Sequence, residues 1–237
     1  MTTKTRDAAW PAALAPGDAL LLDYTFDPAD LPALWAVLAP AEQERAARQR
    51  DPGARAASIA AHGLKRLLLA HLCGVAPAAL AFGAAPGGKP YLAASDRWPA
   101  LHFSLAHTRG RVALAVMDSH PVGVDVERVR PLAPALARHI LHPGDDPAPG
   151  LLAHWVAKEA VAKAWGVGLQ LPFPRLCPTP GLDGWLVYQD AGRVAQVLRG
   201  ADAVAHWAVA VDGAACVRLR RLVVAHPPGL YNATVPN

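Results

Sequence analysis

The segment Pro121-Val122-Gly123-Val124-Asp125-Val126-Glu127 alternates strictly between apolar and other residues. A period of two is the pattern of a half-buried β-strand, because successive side chains leave opposite faces of the backbone. Val122, Val124 and Val126 therefore share one face, and Gly123, Asp125 and Glu127 share the other. Two like charges about 7 Å apart along a strand repel one another. A divalent cation between them would relieve that repulsion. An exposed strand whose outer face is acidic accounts for this segment taken alone just as well.

The elements around the segment imply an α+β chain. Before it, 19–26 reads as a buried strand, and 31–50 as a helix that Pro40 restarts. Residues 54–73 read as a second helix, with Ile59, Leu64, Leu67, Leu68 and Leu72 apolar and Gly74 as its stop. Two strands, 101–107 and 111–117, are joined closely enough for a hairpin. After the segment come a short helix over 131–141 and a strong one over 151–165. Strands are expected at 185–188, 194–198, 205–211 and 216–224, with a loose tail from 226 to 237. The order strand, helix, helix, strands occurs twice. It implies two similar α+β halves, 1–118 and 119–237, related by a pseudo-twofold with a cleft between them.

With 237 residues, 53% hydrophobic and 18% charged, the chain can bury a substantial core and is not disordered in type. The net charge of +4 suits an anionic ligand or an acidic partner. It comes with no basic run or aromatic pattern, which argues against nucleic acid. Cys73, Cys177 and Cys216 are odd in number and widely spaced, as expected of reduced thiols in the cytoplasm. No secretory-type apolar segment and no membrane span are visible.

Several side chains stand where chemistry could use them. Trp155, Glu159 and Lys163 recur every four residues and share a helix face, as a surface Glu–Lys pair with an anchoring Trp also would. The rest of that helix is apolar, so Lys158, Glu159 and Lys163 are costly unless they face a polar cleft. Lys89 lies in a Gly-Gly-Lys-Pro turn, which suits a phosphate or a plain surface loop. His107 ends a strand at a tight turn. Lys65 and Arg66 read as a solvated rim. His102 and His107 have no third ligand at zinc spacing.

Taken together, these segments resemble the 4′-phosphopantetheinyl transferases of the long single-chain type, which activate nonribosomal peptide and polyketide synthases. Gly123-Val124-Asp125-Val126-Glu127 is similar to the family's Gly-(Ile/Val)-Asp-(Ile/Val)-Glu. Residues 155–163 are similar to its Trp-x-x-Lys-Glu-Ala-x-x-Lys, Gly88-Lys89-Pro90 to its Gly-Lys-Pro turn, and 103–108 to its Phe-(Asn/Ser)-x-Ser-His-(Ser/Thr). Two positions depart: Ala106 stands where many members have Ser, and His62 where many have Arg.

The resemblance implies transfer of the phosphopantetheine arm of coenzyme A, the co-substrate, to a serine of an apo acyl or peptidyl carrier protein, by a monomer. It implies that Asp125, Glu127 and Glu159 hold Mg²⁺, with Mn²⁺ as the alternative metal. It makes Glu159 the base and Lys163 the group facing the leaving phosphate. Lys158 and His107 are implied at other phosphates, and Arg55 and Lys89, with Pro90 beside it, in the adenosine 3′-phosphate region. A non-catalytic coenzyme A or nucleotide binder of the same fold is the alternative, and a basic nucleic-acid module a more distant one.

Overall fold

The computed structural model describes residues 3–6, 10–213 and 217–227, with only the backbone path for 3–6 and 169. Cys216 and most of the tail expected to be loose lie outside the described residues. The chain begins with β1 (Thr3–Arg6) and β2 (Asp18–Thr25), then α1 (Leu31–Ala36), α2 (Pro40–Ala47) and α3 (Pro52–Cys73). The short β3 (Phe82–Ala84) and β4 (Pro90–Leu92) pair with one another. A hairpin of β5 (His102–Thr108) and β6 (Arg111–Met117) follows, then β7 (Val122–Arg128). After the one-turn α4 (Ala137–Ile140) and α5 (Leu151–Trp165) come β8 (Thr179–Pro180), β9 (Leu186–Asp190), β10 (Arg193–Ala201), β11 (Ala205–Asp212) and β12 (Arg218–Val224).

Local chemistry sets the helix ends. Asp51 caps α3 by accepting the Ala54 N–H at 2.6 Å, Pro52 opens the first turn, and Gly74 closes it at φ 65°. Gly166 closes α5 in the same left-handed conformation, φ 67°. The helix expected over 131–141 is shorter. Pro131 and Pro134 lack the N–H a continuing helix needs, so a 3₁₀ turn at Pro134–Leu136 precedes the single α-turn.

The architecture is α+β. One five-stranded sheet runs β1-β12-β2-β6-β5, and the other β7-β11-β10-β9-β8. Strand alternation sorts the side chains into three cores. Leu20, Leu22 and Tyr24 of β2, with Val112, Leu114 and Val116 of β6, pack against α3. Ala208 and Ala210 of β11 pack against α5. The intervening residues, Ala19, Leu21, Ala113, Ala115 and Met117 on one sheet and Val122, Val124, Val126, Val209 and Val211 on the other, form the core shared by the two sheets. The division at residue 118/119 falls between β6 and β7, but β12 returns across it. It joins the first sheet in parallel with both β1 and β2. Among the described residues no helix is long and apolar enough to cross a membrane.

Candidate active site

The site is built where α5 lies on β7. A Cβ added to Gly123 would stand 2.0 Å from Ala160 O and 2.4 Å from Ala164 N. No side chain fits that gap, so the glycine lets the helix backbone rest directly on the strand. Asp125 and Glu127, on the same strand face, are thereby brought beside Glu159 and Lys163. Lys163 Nζ donates to Asp125 Oδ1 at 2.7 Å.

The two motif segments thus form one electrostatic unit. Burial raises the Glu159 carboxyl above its usual range. The Asp125 charge raises it further, Glu127 adds to this, and Lys163 opposes it. Glu127 is raised by burial and then by Asp125, against Arg130 and Lys163. Arg130 Nη2 lies 3.9 Å from Glu127 Oε1. Asp125 is buried, and its Oδ2 has no hydrogen-bond partner. Among the described residues no group of three or more His, Cys, Asp or Glu is placed so that it could hold a metal ion. The chemistry of the donors, though not their present spacing, suits a hard cation. An orphaned buried carboxylate oxygen and two further carboxylates, each disfavoured by its neighbours' charge, are what an oxygen-seeking Mg²⁺ relieves.

A cavity of about 230 Å³ opens beside this unit, lined by Gly88, Lys89, Pro90, Ser104, Leu105 and Lys163 among others. Ser104 is a residue the sequence reading quoted but gave no task. It is buried, and its Oγ accepts the Val124 N–H at 3.0 Å, tying β5 to β7 one residue from Asp125. A serine at a buried strand position was the available signal. Ala106, the first departure, packs into the core between the sheets.

The remaining candidates divide. His107, at the end of β5, is exposed at its surface, yet the protein packed around its inner side and then Lys163 lower its imidazole pKa, so it stands near the cleft lysine. Its charge also reaches His62, whose pKa falls to about 4, chiefly through burial and then through Lys65. Arg55 is exposed two helical turns before His62, and its guanidinium donates twice to Gln49 O, at 2.8 and 3.2 Å. Lys89 lines the cavity, but its ammonium also donates to Val122 O and Ala164 O, each at 3.0 Å. It thereby pins the start of β7 to the end of α5. Burial lowers its pKa to about 8.

Two expectations need correction. Lys158 is fully buried, and Nζ donates to Asp145 Oδ2 at 2.7 Å, Ile140 O at 2.8 Å and Phe173 O at 3.1 Å. All three of its donors are satisfied within the protein, so none is left for a phosphate. One residue along a helix is a rotation of about 100°, enough to turn Lys158 into the core while Glu159 faces the cleft. Lys65 and Arg66 are no solvated rim either. Both are buried, and both grip Glu42 of α2.

Residues 121–225 match the family model of the 4′-phosphopantetheinyl transferase superfamily. The match covers a little under half of the chain, and over it the chain is similar to that superfamily. A 4′-phosphopantetheinyl transferase of Bacillus subtilis is 33% identical over 119 residues, covering 46% of this chain and 51% of the relative. The 4′-phosphopantetheinyl transferase HetI of a Nostoc species is 29% identical over 148 residues, covering 57% and 62%. The 4′-phosphopantetheinyl transferase Sfp of Bacillus subtilis strain 168 is 31% identical over 84 residues, covering 31% and 37%. The chain thus spans about half the length of the first of these relatives. Asp125, Glu127, Glu159 and Lys163 lie inside the matched segment, whereas Arg55, Lys89 and His107 lie before it.

Proposed function

We propose that this chain transfers the 4′-phosphopantetheine arm of coenzyme A to a serine hydroxyl of an apo acyl or peptidyl carrier protein, releasing 3′,5′-ADP. The observation that carries this reading is the seating of α5 on Gly123, which brings three carboxylates that feel one another's charge beside Lys163, a lysine that also lines a cavity. Asp125, Glu127 and Glu159 would hold Mg²⁺, or Mn²⁺ in its place. The metal would neutralise the diphosphate and stabilise charge developing on it.

The chain's own groups supply the rest. The serine oxygen forms the new bond to phosphorus, and the bond from that phosphorus to the 3′,5′-ADP oxygen breaks. Glu159, directly or through one water, takes the serine proton. Lys163 neutralises the departing phosphate. His107 at the cleft rim holds a second phosphate, and Arg55, Lys89 and Pro90 serve the adenosine end. A net charge of +4 would steer an acidic carrier towards the cleft. The reading carries with it a monomer acting in the cytoplasm.

The test is to mix the protein with coenzyme A, Mg²⁺ and a panel of apo carrier proteins and to weigh the carriers. A carrier heavier by one phosphopantetheine, lost on chelation and in Asp125→Asn, supports the proposal. Coenzyme A binding with no carrier modified would identify a non-catalytic binder instead.

A further inference from the structure

Arg111, on β6 of the first sheet, is buried and reaches across to the second sheet. Its Nε and Nη2 donate to the two carboxylate oxygens of Asp23 at 2.6 and 2.7 Å, a bidentate pair. Its remaining arm, Nη1, donates to Asp202 Oδ2 at 2.6 Å. Asp202 begins the turn between β10 and β11. Its other oxygen, Oδ1, accepts the N–H groups of Val204 and Ala205, each at 2.9 Å. One carboxylate therefore closes the hairpin turn with one oxygen and anchors it to the opposite sheet with the other.

That turn carries the end of β7. Val129 N–H donates to Val204 O at 2.8 Å, Ala205 pairs with Arg128, and His206 pairs with Glu127. Among the described residues β7 is an edge strand of its sheet, with β11 as its ladder partner. The backbone position of Glu127 depends on where the turn sits, and the turn is held by Arg111. Arg221, the other cation on Asp23, makes a useful contrast. It shares Asp23 and lies over the Trp207 ring, 4.6 Å from its centroid.

We infer that Arg111, acting through Asp202, is a positioning residue that holds Glu127 in register for the cation site. This rests on Glu127 being a cation ligand, as proposed above. The test compares Arg111→Met, Asp202→Asn and Arg221→Met by two readouts that need no turnover. The first is amide hydrogen exchange at 126–129 and 203–206. The second is Mn²⁺ binding followed by the resonance of the free ion. Arg111→Met and Asp202→Asn should each speed local exchange by about tenfold or more. Each should weaken Mn²⁺ binding by at least about tenfold, the usual scale for groups that orient a metal ligand. Arg221→Met should lower the melting temperature with neither local effect, and Arg111→Lys, able to keep one carboxylate but not both, should fall between. Local exchange and Mn²⁺ binding unchanged in both Arg111→Met and Asp202→Asn would overturn the inference. If wild-type protein bound no Mn²⁺ while the exchange pattern held, the metal reading would fall and the brace would stand.

Discussion

Gly123 and Ala160 are in contact backbone to backbone: a β-carbon on the first would lie 2.0 Å from the carbonyl oxygen of the second. What distinguishes the strand is thus not only its acids but the empty position between Val122 and Val124. It sets how closely the helix bearing Glu159 and Lys163 approaches the strand bearing Asp125 and Glu127.

Gly123→Ala should therefore cost about 3 kcal/mol, the upper end for forcing extra volume into a packed contact. The obstruction is backbone, which cannot swing aside as a side chain can. Denaturant unfolding measures the loss, and transfer activity should fall further than stability does, because the helix is pushed off the strand. A variant as stable and as active as wild type would mean that helix and strand have room that the geometry denies.

Lys163→Ala should lower kcat more than it raises KM for coenzyme A. Its ammonium stands at the carboxylate cluster, 2.7 Å from Asp125, where charge changes during the reaction. Steady-state kinetics with a saturating carrier separates the two parameters. A rise in KM at unchanged kcat would assign Lys163 to ground-state binding alone.

Lys158→Met should behave quite differently. Removing the ammonium leaves Asp145 buried without its cation, which typically costs about 3–5 kcal/mol. Coenzyme A affinity, measured by calorimetry at a temperature where the variant is folded, should match wild type. A selective loss of coenzyme A binding with normal stability would restore the phosphate role that its burial argues against.

Acidification should weaken the protein in two stages through the Glu42 cluster. His62 is held neutral in the fold with its pKa lowered to about 4, so the unfolded chain binds the proton first. Stability is then lost as pH falls from the ordinary histidine range to about 4. Burial alone would raise Glu42, but its bonds to Lys65 and Arg66 win and lower it to about 2. That carboxylate's contribution is present at neutral pH and is lost as pH falls through the carboxylate range towards 2. Thermal melts across pH 2–7 should show both stages, with Glu42→Gln melting lower than wild type at neutral pH and the gap closing in acid. A gap independent of pH would show that the cluster acts by packing alone.

Much of the molecule was legible in the chain. Strand alternation at 122–127 and helix spacing at 155–163 correctly placed two motifs on a strand and a helix, because both periods are local properties of the backbone. The stop at Gly74 was equally local. Lys158 was misread because its charge suggested a ligand contact, whereas its direction on the helix and the presence of Asp145 in a distant loop are tertiary facts. Lys65 and Arg66 were misread for the same reason: the sequence shows two cations on a helix but not the Glu42 that buries them.

By itself the sequence determined most of the longer strands and helices, and that Asp125 and Glu127 share one strand face and Glu159 and Lys163 one helix face, since these follow from the geometry of consecutive residues. The tertiary structure alone decided that β12 crosses into the first sheet, that Lys89 and Lys158 pin elements together, and that Arg111 reaches Asp202. Those contacts join residues up to about two hundred positions apart. Their partners are chosen by packing of the two sheets, and no periodicity along the chain encodes that choice.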